Sequence, residues 1–141
     1  MTGIINFAHL AINTRDWDKS LWFYGELLGL TLRGPIEMDG FSLMYAALPG
    51  GGSIELFKTR DVLAERVLSD DLTVGLRHFA FEVSGLATLR DRLVAHGTKL
   101  TLDITELPPL GMRVILFEDP NGVTLEFAEP IARPTPMKSL F

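Results

Sequence analysis

The sequence predicts an α+β fold made of two βαβββ modules in one chain. Each half reads as strand, helix and then three strands, by hydrophobic alternation and helical spacing. Glycine- and proline-rich turns close the last strand pair of both halves. Each half also carries one histidine and one glutamate in strand-like runs. His9 lies in Phe7-Ala8-His9-Leu10-Ala11-Ile12 and Glu55 in Ser53-Ile54-Glu55-Leu56-Phe57. His78 opens His78-Phe79-Ala80-Phe81-Glu82-Val83, and Glu126 lies in Val123-Thr124-Leu125-Glu126-Phe127. The histidines are 69 residues apart and the glutamates 71, so the pair recurs as part of an internal repeat.

The first module spans about residues 5–57 and starts with a strand over 7–13. Thr14 or Asp16 can cap the following helix, because their side chains accept from free N–H groups of the first turn. Trp17, Leu21, Tyr24, Leu27 and Leu28 give that helix one apolar face, and Gly29 ends it. Strands are expected over 30–33, 41–48 and 53–57, with Pro49-Gly50-Gly51-Gly52 turning the chain between the last two.

The second module, about 76–129, repeats the order: strand 77–83, a helix capped by Ser84, and strands 99–104, 112–117 and 123–128. Leu86, Leu89, Leu93 and Val94 form the buried side of its helix, and Gly97 stops it. Glu118-Asp119-Pro120-Asn121-Gly122 is a strong turn signal between the last two strands. Residues 58–75 read as a polar connector with a short helix near 62–68, and 130–141 as an extended tail. Residues 34–41 and 104–111 read as loops.

Composition narrows the function. At 141 residues the chain is expected to form a single domain built from the two modules. A net charge of −5 without a basic patch argues against nucleic acid as a partner. The absence of cysteine excludes disulfides, thiolate nucleophiles and thiolate metal sites. The first residues lack the basic and apolar regions of a signal peptide, and no apolar run approaches the ~20 residues of a membrane span. The expectation is a cytoplasmic protein without a membrane partner.

Strand alternation places the four repeated residues on comparable faces. His9 shares a face with Ala11 and Asn13, His78 with Ala80 and Glu82, and Glu126 with Thr124 and Ala128, while Glu55 opposes Ile54 and Leu56. Large apolar residues mostly take the other, helix-packing face. A single glutamate or histidine on a polar strand face is usually solvated. The recurrence of both, at matching offset and face, points instead to a metal site: His9, Glu55, His78 and Glu126 form a natural donor set for a divalent ion. His96 precedes Gly97 at a helix end, where positive charge is favourable, and reads as a surface cap. Arg90, Asp91 and Arg92 read as a solvated helix face.

The chain resembles the vicinal oxygen chelate superfamily, which includes glyoxalase I, methylmalonyl-CoA epimerase, extradiol dioxygenases and bleomycin resistance proteins. The resemblance covers about residues 5–129. Its carriers are Phe7-Ala8-His9-Leu10-Ala11-Ile12, Trp22-Phe23-Tyr24 with Leu28-Gly29-Leu30, Arg77-His78-Phe79-Ala80-Phe81-Glu82-Val83, and Phe117-Glu118-Asp119-Pro120-Asn121-Gly122 with Leu125-Glu126-Phe127. It implies paired βαβββ modules in a cupped mixed sheet, a homodimer, a small-molecule substrate and a metal site that in many members is shared between subunits. A His/Glu/His/Glu set looks like the lyase and isomerase branches, with Ni, Co, Zn, Mn or Fe all acceptable on ligand type. The implied chemistry is proton abstraction next to a metal-chelated carbonyl in a 2-oxoaldehyde–thiol adduct or acyl thioester, with Glu126 or Glu55 as the catalytic base.

Two alternatives accompany this reading. One is an Fe(II) dioxygenase using His9, His78 and Glu126 as a facial triad. The other is a non-catalytic drug-binding module, in which Trp17, Trp22, Phe41 and Tyr45 could stack on a flat ligand. Glyoxalase I commonly places an arginine where this chain has Asn13 and an asparagine where it has Thr59. These departures count against glutathione as cosubstrate. Arg15, Arg33 and Arg113 are the candidate replacements.

Overall fold

The computed structural model describes residues 2–59 and 74–131, and the chain divides into two compact units, Met1–Glu65 and Arg66–Phe141. The helix expected near 62–68 and the tail after residue 131 lie outside the described residues.

The first unit runs β1 (His9–Asn13), α1 (Trp17–Leu21), a π-helical continuation (Trp22–Leu27), β2 (Thr31–Met38), β3 (Phe41–Ala47) and β4 (Ser53–Thr59). Its four strands are ordered β1-β4-β3-β2, with β1 parallel to β4 and the other pairs antiparallel. A parallel pair cannot be closed by a tight turn, so the helix and the β2–β3 hairpin occupy the crossover between β1 and β4.

Of the two capping candidates, Asp16 caps α1, accepting from Lys19 N–H at 3.1 Å. The Thr14 hydroxyl instead donates to the Phe57 carbonyl at 2.7 Å and helps fasten the end of β1 to β4. The buried helical residues are Ser20, Phe23, Tyr24 and Leu27, whereas Leu21 and Leu28 are half-buried. The shift from the expected face has a cause. The π segment bonds Leu28 N–H to Phe23 O, five residues back, so its wider turn carries both Phe23 and Tyr24 inward. Gly25 lies in that segment because a Cβ there would stand 2.8 Å from Leu32 Cδ1 of β2. Ile12, Met44, Ala46, Ile54 and Leu56 complete the core under the helix.

The second unit repeats the plan: β5 (Phe79–Glu82), α2 (Leu86–Ala95), β6 (Leu100–Leu107), a 3₁₀ turn (Pro108–Leu110), β7 (Met112–Glu118) and β8 (Thr124–Pro130). Strand order is β5-β8-β7-β6, again with the first and last strands parallel. Both units therefore have the expected βαβββ order. The mismatch between the two sequence offsets has one location. Elements from β1 to the end of β2 map onto β5 to the end of β6 at an offset of 69, and β3 and β4 map onto β7 and β8 at 71. The two extra residues lie in the β6–β7 connection.

Several boundaries differ from the sequence expectation. Residues 34–38 and 104–107 are strand and not loop, so β2 and β6 are each eight residues long. β2 keeps its pairing through a register shift between Arg33 and Ile36, and β6 through shifts around Leu102, and such irregularities are hard to see in sequence. Val94 is exposed. The segment Arg90-Asp91-Arg92 is more than a solvated face, because Arg90 forks onto both Asp103 carboxylate oxygens of β6 at 3.0 and 2.7 Å. That fork holds the Asp103 carboxyl below its usual range.

Ser84 is not the cap of α2. Gly85 takes that position with φ of 73°, and the Leu86 N–H is satisfied from a distance, by the Glu129 carboxylate of β8 at 2.6 Å. Glu129 also accepts from Arg113 of β7 at 3.1 Å. The Leu86 N–H first, and then Arg113, hold the Glu129 carboxyl below the usual range. A lowered carboxyl stabilises the fold above its ordinary titration range and loses that contribution as pH falls through its lowered value. Replacing Glu129 by Ala is expected to cost about 1–2 kcal/mol at neutral pH. Denaturant titrations at several pH values check this: the gap from wild type should close as the solution is acidified below the ordinary carboxylate range.

Candidate metal centre

In the first unit Ala11 of β1 is in register with Glu55 of β4, and His9 lies two residues before Ala11 on the same face. The imidazole leans over the small alanine, and its Nδ1 comes 2.8 Å from Glu55 Oε2. The second unit repeats the arrangement. Ala80 of β5 is in register with Glu126 of β8, His78 lies two residues before Ala80, and its Nε2 is 3.1 Å from Glu126 Oε2. β5 starts at Phe79, so His78 enters from just ahead of the strand. The repeat is thus kept in backbone register and changed in detail, since the two histidines present different ring nitrogens.

Exposure differs between the pairs. Side-chain exposure is 49% for His9 and 10% for Glu55, against 24% and 20% for His78 and Glu126. The neighbours differ too. Glu55 stands across from Tyr45 of β3, whereas Glu126 stands across from Leu116 of β7. Tyr45 was legible in sequence only as an aromatic, and Leu116 carried no signal, because cross-strand register is not written in either strand alone.

A divalent ion fits this donor chemistry. Two adjacent donors at ~2.1 Å from an octahedral ion lie ~3.0 Å apart, and tetrahedral donors ~3.4 Å. The His–Glu separations of 2.8 and 3.1 Å are of the octahedral kind, a spacing that also suits an imidazole–carboxylate contact without a metal. Neither unit by itself brings three His, Asp or Glu side chains together, so among the described residues each offers two donors. His96 is exposed, with Nδ1 2.9 Å from Arg92 O at the end of α2, as expected of a cap.

Other candidates sort by face. Register carries the Glu55 face across β3 and β2 through Tyr45 to Arg33, and Phe41 lies on the same face opposite Thr59. Arg113 lies on the opposite face of its sheet from Leu116 and Glu126 and is tied to Glu129. Trp17 and Trp22 belong to the helical segments, away from the strand face. In the second unit Leu107 packs on Met112, Val114 and Ala128, so the longer β6–β7 connection is anchored on the Glu126 face. A shallow depression of about 170 Å³ between Glu37, Phe41 and Lys58 lies at the hairpin end of the first sheet and includes neither His9 nor Glu55.

Paired βαβββ units, each with a histidine at or just ahead of its first strand beside a glutamate of its last, define a vicinal oxygen chelate protein. The comparison with known sequences agrees: the Glyoxalase/Bleomycin resistance protein/Dioxygenase superfamily matches residues 6–127, and the chain belongs to that superfamily. It is 32% identical to the uncharacterized protein YaeR of Escherichia coli over 92% of this chain and 99% of that one. It is 25% identical to a lactoylglutathione lyase of Arabidopsis thaliana, over 92% of this chain but 46% of the relative, so it spans about half of that protein. Among solved structures, SMU.1112c superposes with a TM-score of 0.77 at 27% identity, covering 90% of this chain and all of the other. A glyoxalase family protein from Bacillus cereus superposes at 0.80 with 20% identity, covering 93% and 97%, which supports the fold alone. No helix among the described residues is long and apolar enough to cross a membrane.

One glycine sets the spacing of the first pair. Gly52 has φ of 77°, and a Cβ there would stand 3.0 Å from Ala8 O and 3.3 Å from Phe7 O, just ahead of His9. Gly52→Ala is expected to destabilise the fold by about 1–3 kcal/mol through backbone strain and this clash. Thermal unfolding would register the loss. Divalent-metal affinity should fall with it, measured by calorimetry below the variant's melting range.

Proposed function

We propose that the chain is a metal-dependent lyase or isomerase that removes a proton from the carbon next to a chelated carbonyl, with His9, Glu55, His78 and Glu126 as metal ligands. The observation that carries this reading is the recurrence of the same His–Ala–Glu arrangement in both units, with donor spacings of 2.8 and 3.1 Å. Its class of substrate is a 2-oxoaldehyde–thiol adduct or acyl thioester. Relatives named as lactoylglutathione lyases, of which this chain spans about half, support that class.

The residues divide the work by their surroundings. A bound divalent ion would supply Lewis-acid stabilisation of negative charge on the carbonyl oxygen. The two imidazoles, at the start of β1 and just ahead of β5, hold position. Glu55 is the more enclosed carboxylate and serves chiefly as an anchor. Glu126 has alanine and leucine as its cross-strand neighbours, which offer no hydrogen-bond donor. Its carboxylate is the base: the substrate C–H bond breaks, the proton moves to a Glu126 oxygen, and the electron pair passes to the carbonyl oxygen. In a 2-oxoaldehyde–thiol adduct, return of that proton to the former carbonyl carbon, with the hydroxyl proton passing to the former carbonyl oxygen, completes an isomerisation; in an acyl thioester the proton returns to the opposite face of the same carbon.

The test begins with elemental analysis of the purified protein. About one divalent transition metal per chain is expected, lost in His9→Ala and His78→Ala. Protein that takes up no nickel, iron or zinc would overturn the reading. Glu126→Gln should reduce solvent-proton exchange into substrate by about 10²–10⁴-fold while retaining most of the metal. Glu55→Gln separates the isomerase from a three-ligand dioxygenase: it should weaken metal binding in the first and leave oxygen consumption intact in the second.

A further inference from the structure

We propose that Asn121 is a site of spontaneous deamidation held in check by Asp119, so that opening of the β7–β8 turn is recorded as a permanent change of charge and backbone.

The chain contains three asparagines and no glutamine, and only Asn121 is followed by glycine. Glycine has no Cβ to hinder its backbone nitrogen from reaching the preceding side-chain amide. In the reaction the Gly122 nitrogen gives up its proton to hydroxide and attacks Asn121 Cγ. The bond from Cγ to Nδ2 breaks, ammonia leaves with a proton from water, and a five-membered succinimide closes. Water then adds to either ring carbonyl and breaks its bond to the Gly122 nitrogen. Opening at Cγ leaves an aspartyl residue. Opening at the main-chain carbonyl leaves an isoaspartyl residue, in which the chain runs through the side chain.

The folded turn blocks each of these requirements, and one residue supplies the block. Asn121 is buried, 8% exposed, and its Nδ2 donates to Asp119 Oδ2 at 3.1 Å, which fixes the amide group. Asp119 Oδ1 accepts from the backbone N–H groups of Asn121 and Val123, both at 2.8 Å, so the main chain is held on either side of Gly122. The Gly122 N–H, which must lose its proton, donates to the Asp119 carbonyl at 3.1 Å. Removing that proton breaks the bond and sets a negative nitrogen beside a carbonyl oxygen and a carboxylate. Asp119 is itself buried, and its own N–H donates to Val123 O at 2.9 Å. The first unit has no such site, because Gly50 and Gly51 stand 71 residues before Asn121 and Gly122.

Opening of the turn releases these contacts together, and reclosing cannot restore them once the amide is gone. An aspartyl group at position 121 brings a second carboxylate against that of Asp119 where an N–H donor had been. An isoaspartyl link lengthens the main chain of the turn that pairs Glu118 with Thr124 and, further along, Leu116 with Glu126. Either product weakens the β7–β8 hairpin.

The experiment incubates the full chain at mildly alkaline pH, native or in concentrated urea. Mass spectrometry follows the peptide containing Asn121, whose mass shifts as the amide becomes an acid. Native wild type is expected to convert at least about tenfold more slowly than the unfolded chain. Asp119→Ala, shown to be folded by circular dichroism, should convert about tenfold faster than native wild type. Glu129→Ala weakens the same unit at the α2 cap and should convert much as wild type does. If Asp119→Ala does not fold, Asp119→Asn takes its place: it keeps Oδ1 for the two backbone donors and removes the acceptor of the Asn121 amide. Pro120, which has no N–H, prevents the same reaction at position 119. Equal rates in native and unfolded wild type overturn the proposal, as does a folded Asp119 variant that converts no faster than Glu129→Ala. Asn121→Asp, which installs the aspartyl product, should unfold at lower urea concentration than wild type, and equal stability overturns the lasting effect on the hairpin.

Discussion

The parallel pairing of first and last strands within each unit is the constraint on which the rest depends. In β1–β4 and β5–β8, chain segments more than forty residues apart in sequence run side by side in the same direction. Everything between them is what such a connection requires: a helix to cover one face and a hairpin to extend the sheet. The pairing also places the repeated polar residues. It sets a histidine diagonally beside a glutamate across an alanine, and a bulkier residue at Ala11 or Ala80 would occupy the space through which the imidazole leans.

Repetition of backbone register has not produced two identical sites. One glutamate faces a tyrosine and the other a leucine, and the histidines offer different ring nitrogens. A repeated His–Glu pattern thus acquires different surroundings from residues outside the pattern. On the proposed reading this is how like groups take unlike tasks: the surroundings favour one carboxylate as anchor and the other as base.

Much of this was legible in the sequence. Alternating apolar residues and the turn signals gave the order of elements, and the four repeated polar residues stood out against that pattern. What sequence could not supply was register. The π-helical turn moved Phe23 into the core at a position where an ordinary helix would turn it away. Irregular pairing after Arg33 let a run with glycine and proline remain in a strand. The cap of α2 came from Glu129, a residue 43 positions on, and no local rule for helix starts could find it. Arg33, Arg15 and Arg113 were equivalent on paper, and only the pairing of strands separated them.

The place where the two units differ in length has a consequence for how such a protein can change. The extra two residues of the second unit fall wholly in the β6–β7 connection, beyond the last residues of both strands, and the register from β7 through β8 to Glu126 is undisturbed. A hairpin tip can lengthen without sliding its strands, whereas one residue added within β4 or β8 would turn its glutamate to the other face. Insertion and deletion are therefore free to remodel the rim of each sheet while the His–Glu pairs stay where they are. The rim and the paired side chains can be inherited separately, and a lineage built on this plan can reshape one without rebuilding the other.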